Sequence, residues 1–314
     1  MRSSVGWVLA GVIVVGCSSS GGDATPAQQG GELDASVDPP QGDGGVSDDT
    51  DAGNDPVTDG GSGDGGGTSD AGDGGSPPSA GCTTGTGLPE GAATLTVGGK
   101  TRSYVLRKPT GGAAGKAWPL VLALHPNGSN AGYFDVMTGG RAVRPIVSDK
   151  AILVLPEADD GDWRGDLVGE LAYFEALLMT LKGALCIDTG RIFSMGFSGG
   201  GSFSGMLGCN RTDIRAIASG GAVIYFDPTK CVGKPAAWVT IGDGEAVPGR
   251  IAFRDFWRTD ASCTTTTTAV GPAATCAAYT CPNPARPVHF CSHAGGHEWP
   301  SFGATAAWGF FSKL

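Results

Sequence analysis

Arg191-Ile192-Phe193-Ser194-Met195-Gly196-Phe197-Ser198-Gly199-Gly200-Gly201-Ser202-Phe203 is the stretch on which the fold turns. Residues 191–195 read as a short buried strand. Phe203, Met206 and Leu207 continue at helical spacing. Between them, Gly196-Phe197-Ser198-Gly199-Gly200 fits G-x-S-x-G, a sharp strand-to-helix elbow that lifts a serine hydroxyl above an α/β sheet. The glycines have a steric reason. The elbow strains the serine backbone, and side chains two positions away would meet the turning main chain. In a chain with 55 glycines the pentapeptide alone says little, but strand, elbow and helix follow in the required order.

A serine hydroxyl is a weak nucleophile until a base takes its proton. The chain has four histidines, His125, His289, His293 and His297. His297 follows the last expected strand, in Gly295-Gly296-His297-Glu298-Trp299-Pro300, where a loop can lower an imidazole onto the serine. The orienting acid belongs between the two, at a strand end. Ala237-Trp238-Val239-Thr240-Ile241 is such a strand, and Gly242-Asp243-Gly244-Glu245 follows it. Asp243 is the expected acid, with Glu245 second. An oxyanion hole needs two N–H donors where negative charge develops. Gly199 supplies one. The loop His125-Pro126-Asn127-Gly128 supplies the other, through Asn127, because Pro126 has no N–H. Trp299, Trp163 and His125 are candidates to line the substrate site, with ordinary packing as the alternative for the tryptophans and a bond within its own loop for the histidine.

Several runs together resemble the extracellular esterases that include feruloyl esterases of carbohydrate esterase family 1 and polyhydroxybutyrate-depolymerase-like enzymes. They are 119–125 (a strand into an L-H-G loop), 151–156, Cys186-Ile187-Asp188-Thr189-Gly190-Arg191-Ile192, Arg254-Asp255-Phe256-Trp257 with Cys263, and Gly295 to Pro300. The likeness runs from about Gly98 to Leu314. It implies an α/β-hydrolase fold, a Ser198-His297-Asp243 triad, and a disulfide between Cys263 and Cys281. Two positions depart from the pattern. Pro126 stands where the loop usually has glycine, and the usual aspartate position, counted back from Val247-Pro248, falls on Gly244.

Residues 1–17 read as an export signal. Arg2 precedes an apolar run from Val5 to Val15, and Val14-Val15-Gly16-Cys17 resembles a bacterial lipobox with lipidation at Cys17. Residues 18–81 read as a disordered linker, rich in Gly, Asp and Ser and almost without large apolar side chains. Thirteen of the chain's 31 acidic residues fall there, with no Lys or Arg. The remaining 82–314 carry 18 acidic and 20 basic residues, so the net charge of −10 belongs to the linker. No basic stripe with interleaved aromatics suggests nucleic acid.

The last 233 residues suffice for one α/β domain. Continuous apolar runs predict parallel strands at 119–125, 151–155, 191–195, 215–218, 237–241 and 287–291. An alternating hairpin, 94–97 and 102–106, turns at Gly98-Gly99. Helical spacing marks 170–184, 202–208, 250–261 and 304–313. The expected architecture is a mainly parallel sheet with an antiparallel hairpin at one edge and helices on both faces. Besides Cys17, eight cysteines remain, enough for four disulfides in an exported chain.

The expected protein is a surface-tethered serine esterase acting on feruloyl or acetyl esters of plant polysaccharide, or on short-chain polyhydroxyalkanoate. Its expected partners are an ester substrate, polymeric or small, and a membrane reached through Cys17. The expected location is the outer membrane or cell surface of a bacterium, with plain secretion the alternative. No cofactor and no metal are required. A zinc reading of Cys291, His293 and His297 is set aside, because exported cysteines pair and His297 serves the serine. The alternatives are a serine peptidase and an inactive binding module of the same fold.

Overall fold

The computed structural model describes residues 76–111 and 115–314. The expected lipidation at Cys17, and the linker as far as residue 75, lie outside the described residues. Packing begins before residue 82. Ser79 Oγ donates to the Leu185 carbonyl (2.6 Å) and accepts from the Ile187 N–H (2.9 Å).

Two glycines start the sheet. β1 (Gly91–Val97) and β2 (Lys100–Arg107) pair antiparallel with Val97 opposite Lys100. Only Gly98 and Gly99 lie between them, at φ 57° and 81°. Two successive positive φ values match the twist of a two-residue hairpin, and glycine reaches them without strain. Six strands then run parallel: β3 (Trp118–Leu124), β4 (Ile152–Pro156), β5 (Ile187–Phe197), β6 (Ala216–Gly220), β7 (Ala236–Gly242) and β10 (Val288–His293). Each matches an expected apolar run. β3, β4, β6 and β7 are buried at every residue, which explains why their sequences do not alternate.

The strand order is β1-β2-β4-β3-β5-β6-β7-β10-β9-β8, where β8 is Thr267–Ala269 and β9 is Cys276–Tyr279. These last two strands pair antiparallel beyond β10, so both edges of the sheet are antiparallel rather than one. β8 is three exposed residues and β9 four, too short to register as apolar runs.

Helices cover both faces. α2 (Leu167–Ala184), α3 (Gly199–Asn210) and α4 (Pro248–Asp260) bury Tyr173, Phe174, Leu177, Phe203, Leu207, Phe253 and Trp257 against one face. The short α1 (Val143–Val147) and α5 (Gly303–Phe311) bury Val143, Val147, Phe310 and Phe311 against the other. This is an α/β-hydrolase architecture. The chain crosses from β3 to β4 on one side, then returns over β3 to β5 on the other. The carboxyl ends of β3 and β5 therefore splay their loops apart, and a crevice opens where ligands gather in open α/β sheets.

Four disulfides join the eight cysteines: Cys82–Cys186, Cys209–Cys231, Cys263–Cys281 and Cys276–Cys291. The third is the pairing implied by the family resemblance. The fourth ties β9 to β10, the strand that leads to His297, and commits Cys291 to a bridge rather than to a metal.

Candidate active site

β5 ends at Phe197 and α3 begins at Gly199, leaving Ser198 alone at the bend with φ 56° and ψ −119°. A non-glycine residue pays strain for that conformation, and it persists because its surroundings fix it. The Ser198 N–H donates to the Gly220 carbonyl of β6 (2.8 Å). A Cβ on Gly196 would strike the backbone of Gly200. One on Gly200 would strike the carbonyls of Leu124 and His125, at the end of β3. The elbow glycines thus let α3 start hard against the neighbouring strand. Gly200→Ala has no flexible neighbour to push aside. We expect a loss of about 3 kcal/mol, read as a fall in Tm of about 10 °C. The control is Gly309→Ala in α5, where a Cβ meets nothing within 4 Å and helix propensity predicts a small gain.

The structure brings Ser198 and His297 together. Ser198 Oγ lies 2.7 Å from His297 Nε2. The other ring nitrogen, Nδ1, is bonded to the Glu245 carboxylate, not to Asp243. This corrects the expected acid. Residues 243–245 form one turn of 3₁₀ helix after β7, in which positions two apart point about 120° apart. Glu245 is directed inward, its side chain 6 % exposed, and Asp243 is exposed. The extra methylene of glutamate makes up for the one-residue displacement along the chain. A carboxylate only accepts, so Nδ1 carries the proton and Nε2 is free to accept from Ser198. The Gly244 N–H donates to the Gly295 carbonyl (2.8 Å), which couples the acid turn to the histidine loop.

Arg250, in the first turn of α4, also reaches this pair. Its Nε lies 3.1 Å from Glu245 Oε2 and donates to the Gly221 carbonyl (3.1 Å). Its Nη2 lies 3.0 Å from His297 Nδ1. Nothing in the sequence signals this residue, because it follows the acid by five positions on a different element.

The expected oxyanion donors are adjacent. A Cβ on Gly199 would collide with the Asn127 side chain, so the loop after β3 lies directly on the start of α3. As the first residue of a helix, Gly199 has an N–H with no carbonyl in its own helix. The Asn127 side chain is committed elsewhere. Its Oδ1 accepts from the Trp163 N–H (3.2 Å) and its Nδ2 donates to Asp162. These bonds hold the loop against the segment that carries Trp163.

Three expected substrate-lining residues are packing groups instead. Trp163 is 0 % exposed, stacked 5.4 Å from Phe203, with its indole N–H on the His125 carbonyl (2.7 Å). Trp299 is 1 % exposed, edge-on to Phe134 and Trp238. Arg141 Nε donates to its carbonyl (2.7 Å), so Trp299 anchors the histidine loop. His125 is 1 % exposed; Nε2 accepts from the Ala158 N–H (3.1 Å) and Nδ1 donates to the Pro126 carbonyl (2.9 Å). Burial lowers its pKa, consistent with that neutral form. Residues in glycine-rich loops give no periodic signal of burial, and so aromatic anchors read from sequence as open subsite walls.

Aromatic groups packed around His297 and the Asn127 loop went unnoticed in the sequence. Phe197 lies against the His297 ring, centroids 4.7 Å apart, and half-buried Tyr133 is parallel to Phe197 at 6.5 Å. Burial pushes the Tyr133 phenol up to about 12. Tyr225, on the loop after β6, is half-buried with the Arg164 guanidinium 5.8 Å from its ring. Its phenol is also raised by burial, and bonds toward Ser202 and Asn127 moderate the effect. Both rings remain uncharged hydrogen-bond donors.

Over 152 residues the chain is 34% identical to feruloyl esterase D of Neurospora crassa, covering 45% of this chain and 52% of that protein. Over 131 residues it is 31% identical to a probable feruloyl esterase C of Aspergillus flavus, covering 39% of this chain and 47% of that protein. The chain resembles feruloyl esterases. It spans about half the length of these curated relatives. No protein-family model matches it. Among solved structures it is similar to an acetyl xylan esterase from Aspergillus awamori, at TM-score 0.53 and 13% identity, covering 71% of this chain and 99% of that one. A CE1 ferulic acid esterase from Anaeromyces mucronatus, solved with ferulic acid, matches at TM-score 0.53 and 15% identity, covering 74% and 92%. At such identities the structural likeness speaks for the fold.

Proposed function

We propose that this chain is a serine esterase that cleaves carboxylic esters through a Ser198-His297-Glu245 relay and an acyl-enzyme. The observation that carries the reading is the continuous contact from carboxylate to imidazole to hydroxyl, at the elbow. Ser198 Oγ attacks the ester carbonyl carbon as His297 Nε2 takes its proton. The Gly199 and Asn127 N–H groups receive the developing oxyanion. His297 returns the proton to the leaving alcohol, and water activated by the same nitrogen then releases the acid.

Feruloyl or acetyl esters of plant polysaccharide are the substrates that the relatives' names favour. A short-chain polyhydroxyalkanoate is the second substrate class. The inactive-module reading rested on the displaced acid and on Pro126. Glu245 at His297 and Asn127 beside Gly199 weigh against it. Four disulfides fit an oxidising, extracytoplasmic setting. We place the protein there as a lipoprotein held at Cys17 by the acidic linker.

The test is hydrolysis of p-nitrophenyl acetate, methyl ferulate and a peptide p-nitroanilide by the purified chain. Turnover of the esters with the anilide untouched is the expected result, and the ferulate-to-acetate ratio ranks the acyl group. Cleavage of the anilide alone would overturn the reading in favour of a peptidase.

A further inference from the structure

Most serine hydrolase relays pair one carboxylate with one imidazole. Here a third charged group is built in. The Arg250 guanidinium touches the carboxylate, the imidazole edge and a backbone carbonyl at 3.0 to 3.1 Å. It is itself only 19 % exposed, beside a Glu245 at 6 %. In such a setting charge interactions are weakly screened. Arginine is always protonated and donates only. It therefore cannot relay a proton, and its effect on the ring is electrostatic and positional.

We propose that Arg250 is a positioning residue that anchors Glu245 and keeps a fixed cation on the edge of the imidazole, so that the relay works at lower pH than a bare carboxylate–histidine pair. The inference rests on the esterase reading for its substrate, but not for its logic. A protonated His297 cannot accept the Ser198 proton. With the guanidinium in place, a second positive charge on the ring would stand within hydrogen-bond distance of the first. Other groups facing the ring are neutral: Ser198 from the start of α3, Phe197 from β5 and the Gly221 backbone from the loop after β6. Neighbouring charges are turned aside, with Glu298 on Arg141 and Asp243 exposed. Arg250 also fixes geometry. It bridges Glu245, on the turn after β7, to the Gly221 carbonyl on the loop after β6, and so braces the carboxylate from both sides.

The experiment is the pH profile of kcat/KM for p-nitrophenyl acetate, together with the pH profile of Ser198 labelling by a fluorophosphonate. Arg250→Gln and Arg250→Lys are compared with the unaltered chain. Gln keeps a donor for Gly221 and removes the charge. Lys keeps the charge and loses the fork. The expected result is an acid limb moved up by about one pH unit in R250Q. In R250K the limb stays with the parent, while the plateau falls because an ammonium lacks the planar fork that spans the Glu245 carboxylate and the Gly221 carbonyl. A purely structural arginine would lower the plateau and leave the limb in place. A limb unmoved in R250Q, or moved equally in R250K, overturns the inference. Labelling needs no ester turnover. A chain that labels with these limbs but cleaves no ester would sink the esterase proposal and leave the inference standing.

Discussion

Ser198→Ala is expected to lower kcat on p-nitrophenyl acetate by at least about 10⁴-fold, with KM changed little and Tm held within about 2 °C. Among the described residues the hydroxyl is the one nucleophile bonded to His297 Nε2, and no acyl-enzyme can form without it. Stability should survive because the hydroxyl's bond is to an imidazole whose side chain is 39 % exposed. The strain at φ 56° is the same for alanine as for serine. Steady-state kinetics with a thermal melt checks both halves. Residual activity above about 1 % would mean that another group attacks the ester, and the relay would have to be abandoned.

The second large effect separates two neighbouring carboxylates. Glu245→Gln keeps the shape of the side chain but puts an amide against Nδ1, which allows the wrong imidazole tautomer. An expected fall in kcat of about 10³- to 10⁴-fold follows from the behaviour of such substitutions in serine hydrolases. Asp243→Asn should stay within about twofold of the parent, because Asp243 is exposed and the bond to His297 belongs to Glu245. The pair of variants is informative only together. Equal losses would point to a general disturbance of the turn after β7, and a larger loss in D243N would return the acid to the position first expected.

The contrast between those residues shows what a sequence discloses. Parallel strands buried on both faces must be apolar throughout, and so 119–125 and 237–241 could be read almost to the residue. The elbow was legible because sterics admit only glycine at its flanks. The histidine was legible because four candidates left few choices. The acid was not, because the decision between Asp243 and Glu245 lies in the rotation of a single 3₁₀ turn, and composition says nothing about that angle. Trp163 and Trp299 mislead for a related reason. Each belongs to an irregular loop, where burial depends on what the distant chain lays over it, as Arg141 does over the Trp299 carbonyl. Arg250 lay beyond reach altogether, since its importance arises from three contacts made with three other segments of the chain.

The contact of Ser79 with Leu185 and Ile187 sets the polarity of the molecule. Leu185 ends α2 and Ile187 opens β5, and Ser198 stands where the same strand closes. Ile187 pairs with Trp118 and Gly196 with Leu124, the two ends of β3, so roughly 20 Å separates the ends of β5. The amino-terminal segment therefore joins the domain at the pole opposite the nucleophile. A bulky polymer can therefore approach Ser198 without meeting the point where residues 76–79 join the domain.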